Sequence, residues 1–241
     1  MKTFDCSQSF WQLIVIAAVC YLCGCFNFAL IISRLKHRDI TKMGSGNPGT
    51  MNMSREFGWK VGLTTFFFDA LKAGLPCLVL HLIYKGYVFL GTEISVSDFM
   101  RYFGGLFVVI GHIYPIMVKG KGGKGIASTL GLFWVGLACE NAWFALIVFA
   151  FLIGIILFIF VTEWGALGSL LGVTGLSIVQ LVIFYLHYAK ILVNAYLVCL
   201  FLIVFLINVL TWFAHRANLR RLFSGEEHRT SMKKIIKKKS E

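Results

Sequence analysis

Phe10-Trp11-Gln12-Leu13-Ile14-Val15-Ile16-Ala17-Ala18-Val19-Cys20-Tyr21-Leu22-Cys23-Gly24-Cys25-Phe26-Asn27-Phe28-Ala29-Leu30-Ile31-Ile32 is an apolar run of 23 residues, and cations follow it from Arg34 to Arg38. A helix needs ~20 apolar residues to cross the hydrocarbon layer of a bilayer. The core of a cleaved signal peptide is shorter, roughly 7–15 residues. Leu22-Cys23-Gly24-Cys25 faintly resembles a lipoprotein cleavage box. The length of the run and the cations after it point instead to an uncleaved first membrane helix ending in the cytoplasm.

Further apolar runs follow, and the composition agrees with them. Hydrophobic residues make up 58% of the 241 and charged residues only 14%; the mean hydropathy is +0.80. A soluble domain carries about 25% charge, so this chain has too little polar surface to coat a water-soluble globule. We read one all-α integral membrane domain over residues 1–223, followed by a basic cytoplasmic tail over 224–241. The expected spans are 10–33, 61–84, 102–118, 126–140, 142–161, 166–186 and 191–213, seven in all, with the fourth the weakest. Barrel strands would alternate apolar and polar residues, and these runs do not.

The net charge of +12 is unevenly placed. With the N-terminus outside, the inside segments 34–60, 119–125, 162–165 and 214–241 hold 18 of the 23 Lys and Arg. The outside residues are Lys2, Lys85, Arg101 and Lys190. That bias orients the protein with its C-terminus in the cytoplasm, and it speaks for anionic ligands and lipid rather than nucleic acid. The tail ends Lys233-Lys234-Ile235-Ile236-Lys237-Lys238-Lys239 and reads either as a lipid-attracted segment or as a solvated topology signal. Cys20, Cys23 and Cys25 have no His or carboxylate beside them and read as packing residues, so no metal is expected.

Chemistry concentrates in the inside segments. Gly44-Ser45-Gly46-Asn47-Pro48-Gly49-Thr50-Met51-Asn52-Met53-Ser54-Arg55 holds three Gly, one Pro and two Asn in twelve residues. Such a loop turns tightly and exposes backbone N–H groups that can cradle an oxyanion, with Ser45 and Arg55 as further donors. An ordinary polar connection is the competing reading. Gly111-His112-Ile113-Tyr114-Pro115 precedes Lys119-Gly120-Lys121-Gly122-Gly123-Lys124-Gly125 and an apolar run. A glycine turn entering a helix aims free N–H groups and the positive dipole end at one point, where Lys124 adds a charge. Gly125 stands where a Walker A loop needs Ser or Thr. Asp69 and Lys72, three apart within a span, lie on one helix face and read as an ion pair or as part of a site. Thr162-Glu163-Trp164-Gly165-Ala166-Leu167-Gly168-Ser169 lacks a basic residue, unusual for an inside corner. His215-Arg216-Ala217-Asn218-Leu219-Arg220-Arg221 returns cations and an amide to the same face.

These segments resemble the motifs of the bacterial acyl-phosphate-dependent glycerol-3-phosphate acyltransferases (PlsY). Gly44 to Gly49 with Asn52 and Arg55 is similar to the first motif. Gly111 to Pro115 with Lys119 and Gly122-Gly123-Lys124-Gly125-Ile126-Ala127 is similar to the second. Leu167-Gly168-Ser169 resembles the third, and His215 to Leu222 the C-terminal signature; the likeness runs from about Tyr21 to His228. The resemblance implies seven transmembrane helices and a cytoplasmic active site in the bacterial plasma membrane. It implies transfer of a fatty acyl group from acyl phosphate to the 1-hydroxyl of sn-glycerol 3-phosphate, yielding lysophosphatidic acid and phosphate without a cofactor.

It assigns catalytic or substrate roles to Ser45, Arg55, Lys124, Ser169 and Asn218, with His112 and His215 as less defined site residues. Gly46, Asn47, Gly49, Asn52, Gly122, Gly123 and Gly125 would shape the phosphate-binding loops. Membrane lipid, a monomeric state and contact with an acyl-phosphate-synthesising enzyme complete the expectation. Two positions depart from the family pattern: Ala166 replaces the first Ser of the third motif, and Met51 stands where Thr is usual. No His is followed by Asp five positions on, which disfavours the soluble-headed glycerolipid acyltransferases. The alternative is a multi-pass transporter of a phosphorylated or anionic solute, which would place polar groups on both faces or along a midplane path.

Overall fold

The structure is a computed structural model that describes residues 2–232 and residue 235. All five tail lysines expected to meet lipid (Lys233, Lys234 and 237–239) therefore lie outside the described residues. The chain is an all-α integral membrane protein. Six of its helical segments are long and apolar enough to cross a bilayer: Phe10–Leu35, Trp59–Tyr84, Val96–Val118, Ala142–Thr162, Gly165–Tyr188 and Ala195–Ala214. Ile126–Glu140, at the expected fourth span, is a shorter apolar helix of 15 residues and is not among the six.

In chain order the helices are α1 (Phe10–Cys25), α2 (Phe28–Leu35), α3 (Thr50–Phe57), α4 (Trp59–Tyr84), α5 (Val96–Ile113), α6 (Ile126–Glu140), α7 (Ala145–Thr162), α8 (Gly165–Tyr188), α9 (Ala195–Ala214) and α10 (Arg216–Phe223). A short parallel pair, β1 (Lys2–Phe4) with β2 (Tyr87–Phe89), in register Lys2 with Tyr87, ties the N-terminal segment to the α4–α5 connection. The sequence pattern had no signal for it, since three residues are too few to show alternation.

The first span is broken, not continuous. Asn27 sits between α1 and α2 with an extended backbone, and its side-chain oxygen accepts from Leu30 N at 3.0 Å. In an unbroken helix that N–H would bond the Phe26 carbonyl. Asn27 thereby caps α2 and releases the Phe26 carbonyl. Its Nδ2 also donates to Pro48 O at 3.1 Å, fastening the break to the first glycine loop.

Small residues set the helix spacing, as expected where lipid supplies no hydrophobic drive for helix association. A Cβ on Gly111 would stand 2.2 Å from Tyr21 O, and one on Gly131 would stand 2.1 Å from Ala70 O. The α1–α5 and α4–α6 contacts are therefore backbone against backbone. Large apolar side chains such as Ile14, Leu75, Phe149 and Leu202 point outward, as a hydrocarbon surround requires.

Arg101, counted from the sequence as an outside residue, is inside α5 and 1% exposed. It pairs with Asp98 and with Glu140 at 2.6 Å, and its Nη1 donates to Gly136 O at 2.6 Å. Asp98 and Arg101 interrupt the apolar run and so hid the first six residues of α5. Their charges are neutralised against each other and against α6.

Candidate active site

A cavity of about 400 Å³ opens at the end of the bundle where the glycine-rich segments meet. Its polar lining comes from all four sequence clusters: Ser45, Asn47, Gly49, Asn52 and Arg55; His112, Lys124 and Gly125; Ser169; and His215 and Asn218. Gly46, Gly122 and Gly123 are not among its lining residues.

The first loop works as expected in outline. Gly44 (φ +54°) and Gly46 (φ +67°) take left-handed backbone conformations, which glycine adopts without a Cβ penalty. Asn52 braces the turn from within: its Oδ1 accepts from Ser45 N at 3.1 Å and its Nδ2 donates to Met43 O at 3.0 Å. Its amide is committed to the loop backbone.

The second loop differs from the sequence reading. Gly122 N donates to Ile113 O and Gly123 N donates to His112 O, each at 3.1 Å. Those amides fold the loop back onto α5 and are not free for an anion. Glycine is required there for space: a Cβ would fall 2.0 Å from His112 O at Gly122 and 2.2 Å from His112 Nε2 at Gly123. The free amides are instead in the first turn of α6. Gly125 (φ +85°) begins that helix with no side-chain cap, and the first backbone bond into it is Thr129 N to Gly125 O at 2.8 Å.

The same feature recurs twice. α3 starts at Gly49 and α8 at Trp164, neither with a side-chain cap. Their first backbone bonds, Met53 N to Gly49 O and Gly168 N to Trp164 O, are both 3.0 Å. Thr50 and Met51, Ile126 and Ala127, and Gly165 and Ala166 all line the cavity. Three helix N-termini therefore aim orphan N–H groups and positive dipole ends at one space, an arrangement suited to anions. Both departures from the family motifs, Met51 and Ala166, lie in these first turns.

The cations stand around that space. Burial pushes the Lys124 ammonium down to about 8; the Glu227 carboxylate opposes this, and Arg221 and Arg55 reinforce it. Lys124 Nζ donates to Asn218 Oδ1. Asn218 Nδ2 in turn donates to Glu227 Oε1 at 2.6 Å, and Arg221 Nε donates to Glu227 Oε2 at 3.1 Å. Burial also works against the Arg55 charge, with Glu227 and Glu56 offsetting it; Arg55 Nη2 donates to Thr230 Oγ1. Ser169 Oγ donates to Gly165 O at 2.8 Å, and the residue lines the cavity. His215 donates from Nδ1 to Thr211 O at 2.7 Å. Burial first, then Lys124, pushes its imidazole to about 4, so it is neutral at pH 7.

Sequence reasoning missed Glu227. It lay in what read as a solvated polar tail, yet residues 225–232 run back across the site. Thr230 N donates to Glu163 O at 2.7 Å, and Arg229 Nη1 donates to Thr162 O at 3.1 Å. Glu227, next to Glu226 among surface-like residues, carries no periodic signal; only the fold brings it against Asn218. Asp69 and Lys72 also belong here. Their ion pair, 2.8 Å long, adjoins His112, and Asp69 lines the cavity.

The cavity has an apolar side as well. Leu63 of α4 and Ile156 of α7 line it and are also exposed on the outer surface of the bundle, and Leu152 and Ile155 continue the wall. A polar pocket thus joins a greasy, laterally open slot.

The chain matches the family model described as glycerol-3-phosphate acyltransferase over residues 14–225. It is similar to the glycerol-3-phosphate acyltransferase of Pseudothermotoga lettingae, 32% identical over 94% of this chain and 98% of the relative. The Finegoldia magna enzyme of the same name is 34% identical over 91% and 97%, and that of Aquifex aeolicus 31% over 87% and 94%. The fold resembles crystal structures of PlsY, an integral membrane glycerol 3-phosphate acyltransferase. The glycerol 3-phosphate form gives a TM-score of 0.73 at 26% identity, covering 94% of this chain and 100% of that one. The lysophosphatidic acid form gives 0.71 with the same coverage.

Proposed function

The chain belongs to the glycerol-3-phosphate acyltransferase family and is an integral membrane acyltransferase, and from that premise we propose its donor, product and site. The donor is acyl phosphate, and the acceptor is the 1-hydroxyl of sn-glycerol 3-phosphate. The products are lysophosphatidic acid and inorganic phosphate. The observation that carries this reading is the convergence of three uncapped helix N-termini, Arg55 and Lys124 on one cavity with an apolar side wall. Two phosphorylated substrates need that much positive potential, and an acyl chain needs the slot between α4 and α7.

Acyl phosphate is a mixed anhydride with a good leaving group. Positioning and charge stabilisation then suffice, without a protein nucleophile. The glycerol hydroxyl oxygen bonds the acyl carbon, the bond from that carbon to the phosphate oxygen breaks, and phosphate departs with the electron pair. The hydroxyl proton has two candidate acceptors, His112 and an oxygen of the departing phosphate. Arg55 and Lys124 hold phosphate oxygens, the α6 N-terminus supplies amides, and Ser45, Ser169 and Asn218 supply hydrogen bonds that orient the substrates.

The one-sided distribution of Lys and Arg supports a cytoplasmic site with the N-terminus outside, in a bacterial plasma membrane. The protein acts as a monomer that receives its labile donor from the enzyme that makes it.

The test is purified protein with acyl phosphate and glycerol 3-phosphate, following phosphate release, with acyl-CoA and acyl carrier protein thioesters as alternative donors. Release with acyl phosphate alone supports the reading, and turnover with a thioester alone overturns the donor assignment. Trapping an acylated Ser45 or Ser169 in a single turnover would sink direct transfer.

A further inference from the structure

His112 and His215 reach the cavity from α5 and from the end of α9, and each ring is anchored through Nδ1. The two anchors are chemically opposite. Lys72 Nζ lies 2.7 Å from His112 Nδ1, 2.8 Å from Asp69 Oδ1 and 2.6 Å from Phe26 O. An ammonium has three N–H donors and no acceptor, so each of these three groups must accept. The Phe26 carbonyl is available because Asn27 Oδ1 has taken the Leu30 N–H. Nδ1 of His112 is therefore a bare nitrogen, and its ring proton is on Nε2. An imidazolium there would set a second N–H against the ammonium. At His215 the anchor is the Thr211 carbonyl, 2.7 Å away. A carbonyl only accepts, so Nδ1 carries the proton and Nε2 is bare in the neutral ring.

Neither Nε2 has a hydrogen-bond partner among the described residues. Among those residues the fully buried side-chain nitrogens and oxygens left without a partner are Thr129 Oγ1 and Gln180 Nε2 alone. Both histidine Nε2 atoms therefore keep some accessible surface, and both residues line the cavity.

We propose that the two histidines are locked in opposite tautomers, His112 presenting a donor and His215 an acceptor, with Lys72 as the positioning residue that sets the first. This rests on the acyl-transfer reading above and resolves the question it left open. His112 Nε2–H donates to substrate oxygen beside the Gly123 turn and does not take the hydroxyl proton, which leaves with the phosphate. His215 Nε2 accepts the hydrogen bond of the glycerol hydroxyl and relays that proton to the departing phosphate as the hydroxyl oxygen bonds the acyl carbon. The same geometry explains the Asp69–Lys72 pair. Asp69 keeps Lys72 charged within a span, where an unpaired ammonium is costly, and Lys72 passes that constraint to His112.

The experiment is ¹⁵N NMR of the full chain in lipid nanodiscs with ¹⁵N-labelled histidine, the two rings being assigned from His112→Gln and His215→Gln. The expected wild-type spectrum near pH 7 shows protonated Nε2 with bare Nδ1 for His112, and the reverse for His215. Equal tautomers, or an imidazolium at either ring, overturn the proposal. Lys72→Met alone strands the Asp69 charge, so the companion variant is Asp69→Asn with Lys72→Met. It is expected to mix the His112 tautomers, leave the His215 signals in place and lower kcat by about tenfold or more, the scale of losing one oriented donor. An unchanged His112 spectrum in that variant removes the role of Lys72. The wild-type spectrum needs no turnover. Opposite tautomers in a protein that makes no product from acyl phosphate and glycerol 3-phosphate would uphold the tautomers while removing the acyl-transfer reading.

Discussion

Raising the pH from 7 to 9 should discharge Lys124 while leaving the substrate phosphate unchanged. Burial holds this ammonium near 8, so it is mostly charged one unit below and mostly neutral one unit above. The second ionisation of a phosphate monoester lies near 6, so glycerol 3-phosphate remains a dianion throughout. A hydrogen bond to a charged partner contributes ~1.5–3 kcal/mol, a factor of roughly 10–150 in affinity at ~1.4 kcal/mol per tenfold. The charged form is the binding form, and it is lost as pH rises through 8. The KM for glycerol 3-phosphate should therefore be nearly flat up to pH 7 and rise about tenfold by pH 9, tracking the protonated fraction. Calorimetric titration of glycerol 3-phosphate alone separates binding from turnover. Lys124→Arg is the control, because a guanidinium stays charged across this range; the alkaline rise should vanish even where kcat suffers. A wild-type KM that changes less than about twofold from pH 7 to 9, or an equal rise in Lys124→Arg, would refute a phosphate role for Lys124.

Three further perturbations follow from the same geometry. Arg55→Gln removes a half-buried cation that lines the cavity, and KM for a phosphorylated substrate should rise roughly 10–100-fold by the same charged hydrogen-bond scale; an unchanged KM in folded protein excludes it as a phosphate ligand. Glu227→Gln removes the carboxylate that holds the Lys124 midpoint up, so the alkaline rise in KM should begin at lower pH than in wild type, and a midpoint that stays put or moves up contradicts the network. Arg101→Met lies outside the site and strands Asp98 and Glu140 in the bundle. Breaking a buried pair in this way costs ~3–5 kcal/mol, so the unfolding midpoint in detergent should fall sharply, whereas KM for glycerol 3-phosphate in still-folded protein should not change.

The sequence by itself determined the membrane class, the position of nearly every apolar helix and the segments that build the site. Those properties are local. A 23-residue apolar run, a glycine turn entering a helix and a lysine beside it are legible because length, φ freedom and charge act within a few residues. What only the tertiary structure decided depends on groups distant along the chain. Arg101 is a membrane-buried residue because Glu140 of α6 meets it, and a one-dimensional charge count placed it outside. Gly122 and Gly123 looked like anion donors, yet their amides bond α5 and their missing side chains make room for His112. The uncapped backbone amides beside the cavity belong instead to three helix starts that no linear motif unites. Glu227 was indistinguishable from a solvated tail until its partners, Asn218 and Arg221, stood beside it. The Asp69–Lys72 pair was visible as a spacing of three, but its purpose was not. That purpose depends on a carbonyl released 46 residues earlier at Phe26 and on a ring 40 residues later at His112. A buried charge acquires meaning only from every group that touches it, and the chain order does not specify those neighbours.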